Sequence, residues 1–189
     1  MAYKYPIPVD TYDTDGPQLL SGGGETAFNR ILVLGSVSIT NQSMRFVCFT
    51  ARRTETITQC RTYVGATAQA GATLARIGVW TVDASDNFTA LVASTTNDTA
   101  LWTTPNAAAG KAFTASFTKV RGTRYAVGML VDGTSTAPVL GCLSTGLSVV
   151  NSAVPRLNGF YGSQSNLPST ASVGSFTAST AIPYVELLP

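Results

Sequence analysis

At 189 residues, with 44% hydrophobic and 12% charged side chains, the chain is long enough for one β domain with a full core, yet carries far less charge than the ~25% of an average globular protein. Its formal charge of +2 comes from 12 basic and 10 acidic residues, and no like-charge run exceeds Arg52-Arg53, so the clustered basic face that nucleic-acid binding needs is missing. Histidine is absent, which removes the commonest general base and neutral metal ligand and, with them, zinc-hydrolase, histidine-triad and cupin-type readings.

The first 25 residues, "MAYKYPIPVDTYDTDGPQLLSGGGE", carry Pro6, Pro8 and Pro17 and end in Gly22-Gly23-Gly24. Proline fixes φ and removes donors, and a glycine run bends freely, so residues 1–25 are expected to form an extended arm ending in a hinge. Tyr3, Tyr5 and Ile7 give that arm something apolar to bury. Asp10, Asp13 and Asp15 suggest a calcium loop, but Pro17 and the lack of a closing glutamate break the template, and a solvated turn-rich segment is the better reading. No metal or other cofactor is expected. Met1 to Pro6 lacks the apolar stretch of a signal peptide, and no run reaches membrane-spanning length, so the chain is expected to be made in a cytoplasm and not to enter a membrane.

From Phe28 onward the texture is β. "RILVLG", "MRFVCFTA" and "TITQCRTYVG" read as successive strands, rich in branched and aromatic residues. "TYVGATAQAGATLA" is alanine-rich but interrupted by Gly65 and Gly71, and reads as a connection between strands. "ARIGVWTV" and "FTALVAST" flank Asp83 to Asn87 as a hairpin, whose Asp, Ser and Asn side chains are expected to satisfy local backbone groups. "TTPNAAAGKA" reads as a loop.

In "AFTASFTKV", Phe113, Ala115 and Phe117 alternate with Thr114, Ser116 and Thr118, the period of a half-buried strand. "RYAVGMLVDG" places Tyr125, Val127, Met129 and Val131 on one face and small Ala126 and Gly128 on the other, where another sheet or backbone should come close. From Gly141 to Thr180 the chain reads as long loops with two short strands, one near Arg156 to Phe160, and "AIPYVELLP" as an edge strand interrupted by Pro183. The sum, about eight short strands at spacings of roughly 8–12 residues, predicts an all-β antiparallel β-sandwich over residues 26–189 behind the arm.

Candidate sites are few. Trp102, beside a loop, and then Phe160 and Tyr161 are the aromatics best placed for a ligand platform, although aromatics in β domains more often fill the core. Arg52-Arg53 with Glu55, and Arg121 with Arg124, read as solvated strand ends. Cys48, Cys60 and Cys142 are an odd count without close spacing and read as buried free thiols. Without histidine no serine or cysteine has an evident activating base, so no catalytic residue is assigned.

The succession "MRFVCFTARRTETITQCRTYVG", "ATLARIGVWTVDASDNFTALVASTTNDT" and "AFTASFTKVRGTRYAVGMLV" resembles a jelly-roll-like β-sandwich module of virion proteins from tailed bacteriophages. It is most similar to small minor tail proteins of phages infecting actinobacteria, and is also similar to carbohydrate-binding modules. The likeness rests on the "GVW" strand, the turn before "LVAST", and Gly122-Thr-Arg-Tyr125 leading into Ala126 to Val131, within residues 40–135. It implies a non-enzymatic virion protein of the tail, made in the host cytoplasm and released by lysis, whose partners are copies of itself and other virion proteins. A host-surface glycan is a further partner it leaves open, and a capsid decoration or head-fibre protein, or a glycan-binding module, are the alternatives. Few charges and many hydroxyls suit packing against identical subunits, since an unpaired buried ion costs several kcal/mol. The arm residues Tyr3, Tyr5 and Ile7 and the C-terminal Tyr184 would then be subunit contacts.

Overall fold

The computed structural model describes residues 18–189. Its strands, in chain order, are β1 (Glu25–Thr26), β2 (Gly35–Ser38), β3 (Met44–Thr50), β4 (Glu55–Tyr63), β5 (Leu74–Val82), β6 (Phe88–Ser94), β7 (Ala108–Lys119), β8 (Arg124–Asp132), β9 (Val139–Ser144), β10 (Asn158–Tyr161), β11 (Ala181–Pro183) and β12 (Glu186–Leu188), with one short helix, α1 (Ser148–Ser152). Every strand pairing is antiparallel. β2 pairs with β9, β3 with β8, β4 with β7 and β5 with β6. Those four nested pairs are one long hairpin wrapped on itself, which is the topology of a jelly roll.

One layer is the five-stranded sheet β10-β3-β8-β5-β6. The facing layer comprises β1-β12-β4-β7 and β11-β9-β2, which meet where Val64 bridges Leu140. Beyond that bridge β9 and β4 part, and the C-terminal segment fills the opening: β11 runs in along β9, the chain turns at Tyr184 and Val185, and β12 runs out along β4. The expected single edge strand is therefore two strands. Pro183 does lie on an edge, in β11, whereas β12 is interior to its sheet.

The two-face reading of β8 holds. Tyr125, Val127, Met129 and Val131 join Val47, Ile77 and Val79 and, from the other layer, Ile57, Phe113, Leu140 and Leu187 in the main core. On the opposite face Ala126 and Leu130 belong to a second core with Met44, Phe46, Trp80 and Phe88, roofed by Ala171 and Phe176 of the C-terminal connection. Gly78 and Gly128 are cross-strand partners, and a Cβ on either would lie 2.5 or 2.8 Å from the Trp80 ring. The indole therefore lies on bare backbone, so the space over the small residues is filled by a side chain from the neighbouring strand of the same sheet and not, as expected, by another sheet or backbone. Its N–H donates to the Pro168 carbonyl at 2.9 Å, tying the roof to the sheet.

Four local expectations need correction. "RILVLG" begins as a 3-10 turn, Arg30–Leu32, because the Asn29 side chain accepts the Ile31 N–H at 3.0 Å and caps it; β2 starts only at Gly35. The loop "TTPNAAAGKA" ends at Ala107, since β4 supplies a partner for Ala108 and Ala109. Ala115 is exposed rather than core-facing: Ala112 to Phe117 of β7 stand against only Ile57 to Gln59 of β4, and Ala115 sits in that bulge. Gly22–Gly24 is a turn bonded to the rest of the fold. The Leu20 N–H donates to the Gly24 carbonyl at 3.1 Å, Gly23 and Gly24 have φ of +94° and +92°, and a Cβ on Gly24 would strike the Leu187 carbonyl at 2.3 Å.

Candidate functional site

β12 and β4 form the floor of an open groove of about 840 Å³, walled by the Gln18–Gly23 turn on one side and Asn29–Ile31 on the other. Glu186 and Arg61 are directly opposed across the two strands, the arrangement in which opposite charges stabilise a sheet. The buried Glu186 carboxylate accepts from Arg61 Nε at 2.5 Å, from the Tyr184 hydroxyl at 2.9 Å and from the Tyr63 hydroxyl at 3.2 Å. Burial, and then the bond to Glu186, push the Tyr184 hydroxyl well above the usual tyrosine range. Burial works against the Arg61 charge, but its hydrogen bond to Glu186 and their attraction outweigh it and hold the guanidinium protonated. With three donors on it Glu186 is committed to structure, and the groove offers recognition by hydrogen bonds and apolar contact with Ile31 and Leu188.

Two further charge clusters join distant segments. Lys119 and Glu25, both fully buried, pair at 2.7 Å. The Lys119 ammonium also donates to the Arg53 carbonyl at 2.9 Å and lies 3.7 Å from Glu55. Burial alone would raise the Glu55 carboxyl, but the Gly24 N–H, Arg53 and Lys119 outweigh it and hold Glu55 below the usual range. On the other layer Asp86 is buried at a φ of +66°. It pairs with Arg124 and accepts the Arg156 N–H at 3.1 Å, while Arg124 donates to the Arg156 carbonyl at 2.7 Å. The hairpin turn, the start of β8 and the start of the roof thus meet on one carboxylate.

The "DASDN" turn is as expected at Asp83, whose carboxylate accepts the Ser85 and Asn87 N–H groups, each at 2.9 Å. Sequence reasoning misses Asp86, Glu186, Glu25 and Lys119; for Glu186 and Lys119 the available signal was a lone charge in an otherwise apolar or hydroxyl-bearing strand, as in "YVELLP", whereas Asp86 is hidden in a turn already rich in polar residues. Arg53 and Glu55 do form a partly exposed pair, at 2.8 Å.

The predicted platform does not assemble. Trp102 is fully buried in the main core and donates its N–H to Thr62 Oγ1 at 2.9 Å; a ring that can satisfy its one polar atom inside gains most by leaving water. Phe160 and Tyr161 are neighbours on β10, half-buried, with the Arg45 guanidinium 4.7 Å from the Phe160 ring and Tyr161 edge-on to Phe176 at 5.8 Å. Tyr184, expected as a subunit contact, is 1% exposed and its hydroxyl is taken by Glu186. Tyr3, Tyr5 and Ile7, like Asp10, Asp13 and Asp15, lie outside the described residues.

All three cysteines are buried free thiols, as the sequence predicts, and burial pushes Cys48 up to about 12. Among the described residues no three His, Cys, Asp or Glu side chains cluster as metal ligands, and no helix is long and apolar enough to cross a membrane. No protein-family model matches the chain, and no curated protein matches it either.

Proposed function

We propose that this chain is a non-enzymatic structural protein of a tailed-phage virion, a minor tail protein that assembles with copies of itself and with other virion proteins and can touch the host surface. The observation that carries the reading is the distribution of charge. From Gly133 to Val185 the sequence holds one charged residue, Arg156, and that residue is buried. A surface built this way can be covered by another protein without stripping water from ions. The same stretch exposes Leu147, Val149, Val150, Val154 and Leu157, which supports a partner-facing role. The jelly-roll nesting agrees with the module type that the sequence resembles. The carbohydrate-binding alternative is weaker, because Trp102, its main anchor, lies in the core.

Antibody labelling of intact particles in the electron microscope tests the reading. Label along or at the end of the tail is the expected result. Label confined to the head would replace it with a capsid decoration role, and particles carrying no label, together with a purified chain that stays monomeric, would end it.

A further inference from the structure

Lys119 ends β7 and Glu25 begins β1, the two outer strands of the four-stranded sheet. Both side chains are fully buried, with Lys119 Nζ 2.7 Å from Glu25 Oε2. The other carboxylate oxygen, Glu25 Oε1, accepts the Arg52 backbone N–H at 2.8 Å. Glu55 Oε2 stands 3.7 Å from the same Nζ, and the Glu55 carboxylate is itself fixed by the Gly24 N–H at 3.0 Å and by Arg53 at 2.8 Å. An amine, a carboxyl group, a backbone N–H on that carboxyl group and a second carboxylate therefore meet where the first two are closed to water.

As an ion pair this arrangement is costly, because each charge taken out of water costs several kcal/mol and attraction returns that only in excellent geometry. Moving one proton along the 2.7 Å contact turns the pair into a free amine and a carboxylic acid, with no charge left to desolvate. Those are the two halves of an amide bond. Holding them in contact converts an encounter between strangers into a step within one molecule, which raises its rate by orders of magnitude.

We infer that Lys119 and Glu25 form a self-modification site, at which the lysine amine condenses with the glutamate side chain to give an amide joining β7 to β1. Lys119 Nζ, as the free amine, attacks Glu25 Cδ. The electron pair of the Cδ–Oε1 double bond moves onto Oε1, where the Arg52 N–H stabilises the negative charge that develops. The nitrogen, positive once the new bond has formed, gives a proton to Glu55. Glu55 passes it to the Oε2 hydroxyl, the Cδ–Oε2 bond breaks, and the Cδ–Oε1 double bond re-forms. One Nζ–Cδ bond is made, one water leaves, and the step needs neither oxidant nor co-reactant. Glu55 and Arg53 are partly exposed, so the water is released on the side that meets solvent, while burial of both reactants shields the product from hydrolysis. The joined residues lie 94 positions apart, and the amide ties the two outer strands of the sheet directly, in a chain whose three cysteines are free thiols.

Intact-mass spectrometry of the full-length chain, folded and then denatured for measurement, tests the inference. The 19.7 kDa chain is expected to be lighter than its sequence by the mass of one water, and trypsin to release a branched peptide joining residues 5–30 through Glu25 to residues 112–121 through Lys119. Lys119→Arg keeps the charge but lacks the nucleophilic amine, and is expected at full mass. Glu55→Gln, altered at a partly exposed side chain, is expected to keep the fold by circular dichroism and to show at least tenfold less of the lighter form at equal times after synthesis. A parent chain that holds its full mass after prolonged incubation in the folded state would overturn the inference, as would a water loss that persists in Lys119→Arg or maps to other residues. A Glu55→Gln chain that condenses as fast as the parent would overturn the relay assigned to Glu55 and leave the bond standing.

Discussion

The inner face of the five-stranded sheet meets another sheet, whereas its outer face meets a connection with hardly any regular structure. On the inner side the opposing layer brings a whole surface of branched side chains, and its outermost strand is tied in by the buried Glu25–Lys119 pair. The outer side has a smaller cluster, centred on Trp80 between Gly78 and Gly128, and a roof held at separate points: the Trp80 N–H, the pairing of Ala171 with Phe88, the Leu91 N–H on the Ser169 carbonyl at 3.0 Å, the Val173 N–H on the Asn87 side chain at 2.9 Å, Arg76 on Asn166 at 2.8 Å, and the Asp86–Arg124–Arg156 junction among them. The difference shows two ways of covering a sheet. A second sheet buries area uniformly and fixes register along its length. A loop must be pinned at a few points, and each point then carries a large share.

That contrast can be broken most directly at Trp80. Trp80→Ala is expected to cost about 3–5 kcal/mol in urea unfolding, and in hydrogen exchange the Ala171 amide, bonded to Phe88 at 3.1 Å, should lose protection before the amides of β4 do. Equal loss across both layers would mean that roof and sandwich form one cooperative unit. Gly128→Val is the next probe: its side chain would enter the space of the Trp80 ring, with an expected cost of about 1–3 kcal/mol, and tryptophan fluorescence should report a displaced indole. Retained stability with unchanged emission would argue against the packing described.

The smallest effect separates the two sides by acid. Glu55 is held below the usual carboxylate range in the fold, so its contribution is present above the ordinary glutamate pKa of about 4.3 and fades as pH falls through the lower folded value. Stability should therefore decline on acidification below about pH 4.3, and Glu55→Gln should flatten that part of the profile without altering exchange at Ala171. An unchanged acid limb would show that Glu55 plays no part in it.

Much of the architecture was legible in the sequence because it is written as alternation: β8 announces two buried faces, and the Asp83–Asn87 turn sits between two matched apolar runs. The roof was not, because Leu167, Ala171, Val173 and Phe176 follow no period when a chain crosses a sheet as a loop. Trp102 misled for a related reason. The loop that follows it, Thr103-Thr104-Pro105-Asn106, is polar, yet Leu101 beside it is in the core and one hydroxyl across the core, Thr62, satisfies its N–H. The groove could not be read at all, since it depends on Glu186 meeting Arg61 across 125 positions of sequence.

The opening between β9 and β4 is filled by Ala181 to Leu188, and β12 in turn is the neighbour on which β1 pairs. While the chain is still being made, at about 5–20 residues per second, most of the strands can emerge and find each other, but this layer stays unfinished until those late residues leave the ribosome. Glu25–Thr26 and Glu186–Leu188 are thus joined late, and until synthesis has passed residue 188 the stretch of β4 at Cys60, already paired with β7, has no partner along its other edge.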